Sequence, residues 1–399
     1  MMPVSASVGG AEARLARVSA GTAARRAATT KAADRLVDRI DWSALTAMLT
    51  ARRLLPLLGE RIMELAGDRV PESFVEATGA AIRAGAELDG LLELLAIQML
   101  DALETAGIPS MLLKGPALGR ALYGKPGRRP AADVDLLVRA EDLNAAVVVA
   151  GRLGYRDTEL YRPGERLPLL HRRLVHRQPG LPVLELHWRV HWYEQLFSRE
   201  MLLRSRPEGI IGTRAAPSDE LTGLLLFYAR DGFVDLRLAC DVGAWWDALG
   251  AQLPPRAVAE QIARYPRLER VLVAATEVGD SVVGVPSVEL LGEHQKLERR
   301  VRLATALANP DAEGDLTQHQ SDALLIDLLL TPPGGQRANI KRQLLTPSGT
   351  QPGQRSPQRY GPWAAINHGL RLLRRYTLGL LRVAREQIAS RHYRVTSRP

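Results

Sequence analysis

Residues 110–138 read SMLLKGPALGRALYGKPGRRPAADVDLLV, and the fold class follows from how this stretch divides. Ser110 to Leu113 is a short apolar run ended by Lys114, Gly115 and Pro116, the pattern of a buried strand. Ala117 to Tyr123 has room for one or two helical turns, and Gly124 to Pro130 (GKPGRRP) is a loop on composition. Asp133 to Val138 (DVDLLV) is brief and rich in branched apolar residues, which predicts a second strand.

Upstream, Leu36 to about Leu65 and Glu72 to Thr105 carry apolar residues at helical spacing. The second helix is predicted to stop at Ala106-Gly107, with Pro109 beyond, because Gly at a helix end followed by Pro is a stop signal. Downstream, residues 141–153 form a helix closed by Gly154, and PVLELHWRV (182–190) reads as a third strand. Strand alternation there puts Val183, Glu185, His187 and Arg189 on one face and Leu184, Leu186 and Trp188 on the other. Helices are predicted from Ser218 to about Arg230 and from Leu236 to Leu249, with two or three more over 255–308 and no internal repeat. The expected class is α+β: a small mixed-sheet core at 108–195, a helical region at 36–107 before it and a helical substrate or lid region at 196–330 after it. Residues 1–35 read as a disordered extension, 331–363 as a Pro/Gly-rich linker and 364–399 as a basic amphipathic helix and tail.

Composition narrows the function classes. The 399 residues are 46% hydrophobic and 24% charged, outside the range of wholly disordered chains. The net charge of +9 is uneven: residues 1–60 carry +4, residues 335–399 carry +12, and the stretch between carries −7. An acidic middle argues against a protein that coats nucleic acid along its whole surface. It moves any polyanion contact to the C-terminal helix, where Arg371, Arg374, Arg375, Arg382 and Arg385 lie among Leu370, Leu373, Leu378, Leu380 and Leu381. That helix either packs on the body with a solvated Arg face or meets anionic lipid, RNA or an acidic partner. The single cysteine, Cys240, excludes an intrachain disulfide and a Cys-based zinc cage. No apolar run reaches the roughly 20 residues of a membrane span, and the start lacks the apolar region of a secretory signal. The expected setting is cytoplasmic, with membrane association through the basic helix as an addition.

The chemistry concentrates at Asp133 and Asp135. On a strand, residues two apart project from the same face about 7 Å apart, and two such carboxylates suit Mg²⁺ with substrate phosphates. Before them, Gly115 lets backbone approach a phosphate, and the helix that follows offers N–H groups at its positive end. Glu185 adds a third acid beside His187, placed to hold metal or take a proton from an attacking hydroxyl. His187 and His191 are about 13 Å apart on a strand and cannot share an ion. His171 and His176 lie in an Arg-rich stretch and read as surface groups, and Cys240 reads as an inert core thiol. No GxSxG, HExxH or P-loop sequence is present.

The stretch 112–138, the Leu153-Gly154-Tyr155 step and LELHW (184–188) together resemble the uncharacterised bacterial nucleotidyltransferase family of the polymerase-beta-like superfamily. The resemblance covers roughly residues 85–305, with weaker echoes at Ser218-Asp219-Glu220 and at Asp241. It implies Asp133 and Asp135 as metal-binding aspartates, Glu185 as the third carboxylate and Gly115 as the phosphate turn. Gly115-Pro116 stands where many superfamily members have Gly-Ser, which removes a hydroxyl that often touches phosphate; Lys114 is the candidate to compensate.

The expected function is transfer of NMP from an NTP to a hydroxyl-bearing acceptor with release of pyrophosphate, using Mg²⁺ or Mn²⁺. Asp133, Asp135 and Glu185 are the catalytic and metal candidates. Lys114, Gly115, Arg128, Arg129 and His187 are the nucleotide- and phosphate-binding ones. The acceptor is an RNA, a protein, a peptide or a small molecule. Two alternatives stand beside this reading: a nucleotide- or partner-binding protein of the same fold without turnover, and a membrane-surface or scaffold protein acting through its basic helix.

Overall fold

A computed structural model describes residues 10–157, 170–192, 194, 196–207, 212–292, 298–308, 316–334, 337–338, 340–341, 366–367, 369–374, 376–381 and 383–384. Five helices come first: α1 (Ala11–Ala20), α2 (Ala23–Val37), α3 (Trp42–Ala51), α4 (Leu55–Ala66) and α5 (Glu72–Thr105). The core follows as β1 (Ser110–Leu112), α6 (Pro116–Tyr123), β2 (Asp133–Val138), α7 (Leu143–Arg152), β3 (Tyr155–Asp157), β4 (His171–His176) and β5 (Val183–His187). Then come α8 (Phe197–Arg204), the short hairpin β6 (Arg206–Pro207) and β7 (Thr213–Arg214), α9 (Pro217–Arg230) and α10 (Leu236–Leu249). The remainder is α11 (Ala257–Arg264), α12 (Glu269–Val283), α13 (Ser287–Leu291), α14 (Arg299–Leu307) and α15 (Leu316–Leu330).

The main sheet has the order β1-β2-β5-β4-β3, with β2 and β5 parallel and the other pairs antiparallel. Alternation along the strands explains its two faces. Val134, Leu136, Val138, Leu174, Leu184 and Leu186 share one buried cluster with α5 and α7 residues such as Leu92, Leu103, Ala146 and Ala150. The opposite face carries Asp133, Asp135, Leu137, Glu185 and His187, and Leu137 joins the separate core of the helical region. A central strand covered on both sides is therefore apolar behind and polar only where the site lies.

The loop before β2 is fixed on α5 by close backbone approach. Gly127 has φ +78°, and a Cβ there would fall 2.1 Å from the Ile82 carbonyl oxygen. Its N–H donates to the buried Asp89 carboxylate at 2.7 Å. Where a loose extension over 1–35 was expected, α1 and α2 pack on the body instead. Leu15, Ala16, Ala20, Ala33 and Val37 are buried, and small side chains let α1 lie close to α4, α10 and α12. Residues 1–9 lie outside the described part.

Among the described residues of the basic C-terminal segment, Leu372, Tyr376, Leu380 and Val383 pack on the helical core. Gly379 is buried in tight contact with Leu303 and Leu307 of α14. Of the expected apolar stripe only Leu380 packs; Leu370, Leu373, Leu378 and Leu381 are exposed. Arg375, Arg382 and Arg385, and most of the expected linker, lie outside the described residues. No helix among the described residues is long and apolar enough to cross a membrane.

Candidate active site

Parallel register brings the acids together. Asp135 on β2 lies directly across from Glu185 on β5, and Asp133 is one pleat away on the same face. One carboxylate oxygen from each of the three lies within 4.8 Å of the others. That set of hard oxygen donors fits a divalent cation. Three carboxylates this close need compensation, and the chain supplies a cation, Lys114, and a hydrogen-bond donor, His187. Lys114 Nζ is 3.3 Å from Asp135 Oδ2, and His187 Nε2 is 2.9 Å from Asp135 Oδ1 and 3.3 Å from Glu185 Oε2.

The carboxyls respond differently. At Asp135 burial opposes ionisation, but Lys114 and the His187 hydrogen bond outweigh it and hold the group well below the usual carboxylate range. Glu185 is likewise lowered, burial being outweighed by the His187 N–H. Asp133 has no comparable partner, so burial and then the charge of Asp135 push it up. Burial and the neighbouring His187 bring His171 down to about 4, so its imidazole is neutral near pH 7.

The turn after β1 completes one wall. Gly115 caps the N-terminus of α6 with φ +96° and ψ −157°, a conformation open to glycine and strained for other residues. No heavy atom comes within 4 Å of where its Cβ would be, so the backbone faces open space. The other wall comes from the helical region. Phe227 and Arg230 at the end of α9 and Arg237 at the start of α10 line the cleft with Arg53, Lys114, Arg129, Asp133 and Asp135. The Phe227 ring carries Lys114 Nζ at 4.6 Å and the Arg230 guanidinium at 4.9 Å. Nη1 of Arg230 is buried with no hydrogen-bond partner among the described residues.

These observations sort the candidates. Asp133, Asp135, Glu185, His187, Lys114 and Gly115 converge. The loop arginines do not act as a pair: Arg128 forms an ion pair with Glu60 at 2.5 Å and donates to the Tyr123 carbonyl at 3.1 Å, away from the cleft. Arg129 reaches the cleft wall, but its guanidinium is bound to Asp241 of α10 at 2.9–3.1 Å. Asp241 thus ties the core to the helices, and Asp219 and Glu220 are likewise held by Arg204 and Arg214. Sequence reasoning missed Arg53, Phe227, Arg230 and Arg237, which no short motif marks. It also missed β4, which turns His171 from an expected surface group into a neighbour of Glu185, its Nε2 3.7 Å from Oε1. Cys240 is buried, and desolvation pushes its thiol up to about 12, as fits an inert core residue.

A family model described as uncharacterised nucleotidyltransferase matches residues 38–282. The chain belongs to this nucleotidyltransferase family. The matched span takes in α3 to α12, and hence both walls of the cleft and all three carboxylates. Its mixed five-stranded sheet flanked by helices agrees with the α+β core the resemblance implied. No curated protein and no solved structure matches the chain.

Proposed function

We propose that the protein transfers a nucleotidyl group from an NTP to a hydroxyl-bearing acceptor and releases pyrophosphate. The observation that carries this reading is the convergence of Glu185 with Asp133 and Asp135, the two aspartates that line a cleft together with Lys114, Arg230 and Arg237. A divalent ion held by the three carboxylates would neutralise charge on the triphosphate and on the attacking and leaving oxygens.

The side chains of the chain do the rest by position. Lys114, now turned to Asp135, and Arg230, with an unsatisfied buried nitrogen, offer cations to the anionic leaving group. Arg237 adds a third, although it is shared with Asp235 at 3.0 Å. Gly115 admits phosphate close to the backbone at the start of α6. Glu185, ionised and 17% exposed, is open enough to take the proton of an acceptor hydroxyl. His187, fully buried, donates from Nε2 and orients Asp135 and Glu185, so its expected role in binding phosphate gives way to one in positioning carboxylates.

The test is transfer of label from each α-labelled NTP, with Mg²⁺ or Mn²⁺, into host-cell extract. Wild type is compared with Asp133→Asn/Asp135→Asn protein checked for native folding. Label that appears only with wild type supports the reading and shows the class of acceptor. Equal incorporation by both proteins, or none together with no metal-dependent NTP binding, refutes it.

A further inference from the structure

Beside the aspartates of the cleft lies a second cluster that the carboxylate site does not use up. Antiparallel register places His171 of β4 opposite His187 of β5, with ring centroids 4.7 Å apart. Glu185 lies between them: Oε1 is 3.7 Å from His171 Nε2 and Oε2 is 3.3 Å from His187 Nε2. One ligand atom from each of the three residues lies within 4.8 Å of the others. With metal–nitrogen and metal–oxygen bonds of about 2.0–2.1 Å, neighbouring donors in a tetrahedral shell are separated by about 3.4 Å, close to the two Glu185 distances, and an ion there would take the place of the proton that His187 Nε2 donates to Asp135 and Glu185.

We propose that His171, Glu185 and His187 form a second metal site, selective for divalent transition ions that favour imidazole, such as Zn²⁺, over Mg²⁺. Two imidazoles and a carboxylate make a donor set that Mg²⁺, which prefers oxygen and keeps its waters, takes poorly. Glu185 belongs to both groups, so the two sites share a bridging carboxylate. The site is also short of positive charge: among the described residues, Lys114 is the one Lys or Arg that pairs with these acids, at Asp135. Access is through His171, which is 28% exposed while His187 is sealed. The proposal rests on the reading of the carboxylate site only through the shared Glu185, and it stands or falls without turnover.

The experiment titrates the full chain, free of affinity tags and nucleotide, with Zn²⁺, Mn²⁺ or Mg²⁺ alone, reading heat and bound metal after dialysis. Wild type is expected to bind two transition ions. His171→Gln, checked for an unchanged melting temperature, should bind one of them at least 10-fold more weakly and leave Mg²⁺ binding unchanged. Asp133→Asn/Asp135→Asn should keep the histidine-dependent ion. As a second readout on wild type, Mn²⁺ at two equivalents should give an exchange-coupled electron paramagnetic resonance signal, since one carboxylate would join the ions. Zn²⁺ and Mn²⁺ binding by His171→Gln that matches wild type, or one ion per chain with no coupled signal, overturns the proposal. Absence of label transfer from NTP, by contrast, would refute only the proposed activity.

Discussion

Asp241 and Arg129 offer a direct test of how the cleft is held together. The pair joins the loop before β2 to α10, with both side chains buried, at 5% exposure for Arg129 and 0% for Asp241. Arg129 Nε is 3.1 and 3.0 Å from the two carboxylate oxygens, Nη2 is 2.9 Å from Oδ2, and the Tyr123 hydroxyl donates to Oδ1 at 3.0 Å. Asp241→Asn keeps the size and an acceptor and removes the charge. Opposite charges about 4 Å apart attract by about 4 kcal/mol at an effective dielectric of about 20. The guanidinium cannot escape by losing its proton. The expected cost is therefore about 3–5 kcal/mol, the range for breaking one side of a buried ion pair. Denaturant unfolding followed by tryptophan fluorescence reads it, since Trp245 and Trp246 lie on the same helix as Asp241. In a double-mutant cycle with Arg129→Met, the double variant should be at least about 2 kcal/mol more stable than the two single losses added together. If Asp241→Asn stays within about 1 kcal/mol of wild type at unchanged m, the pair is not the tether argued here, and Arg129 becomes available again as a phosphate ligand.

Three further outcomes follow from the same geometry. Asp133→Asn should raise the melting temperature of metal-free protein at neutral pH, because the native state raises this carboxyl by burial and by the charge of Asp135, so ionisation there favours unfolding. The gain should vanish at acid pH below the unfolded pKa, where both states carry the proton; a gain that persists there would contradict it. Gly127→Ala should cost about 2–4 kcal/mol in denaturant unfolding, combining positive φ with collision against α5, whereas Gly124→Ala, with φ +74° and nothing within 4 Å, should cost about 1 kcal/mol. Arg230→Gln should weaken metal-dependent NTP binding by about 10-fold or more, the scale of a lost hydrogen bond to a charged group, with little change in metal affinity measured by calorimetry.

The sequence made the acidic face legible because its signal is local. Asp133-x-Asp135 and Glu185-x-His187 need only the period-2 geometry of a strand, and helices α5 and α10 match the expected spans at both ends. What escaped depends on partners far away along the chain. Arg128 and Arg129 read alike in GKPGRRP, yet one finds Glu60 and the other finds Asp241. β4 escaped because HRRLVH shows little apolar alternation: Leu174 alone is buried, while His171 and Arg173 occupy the polar face opposite His187 and Glu185. The short β3 has only Tyr155 buried among Arg156 and Asp157 and carries as little signal. The helices over 11–37 escaped because alanines bury little area each and succeed only by close approach to a body the sequence does not display.

The same asymmetry explains why the cleft sits where it does. One face of the sheet is closed by α5 and α7 with aliphatic side chains alone, so its free energy comes from burial. The other face gathers like charges in a partly buried place, which disfavours folding, and it lacks a hydrophobic layer of its own to offset that. The offset comes through the helical region: Phe227 supports Lys114, and Asp241 anchors Arg129. Both residues belong to helices whose own core is large and apolar, with Tyr228, Phe233 and Trp245 fully buried beside them. Stability is thus generated in the helices and spent at the seam. Substitutions deep in α9 or α10 should consequently loosen the cleft before they disturb the sheet, and among the site acids it is removal of Asp133, the one carboxyl that the native state raises, that should stabilise the fold.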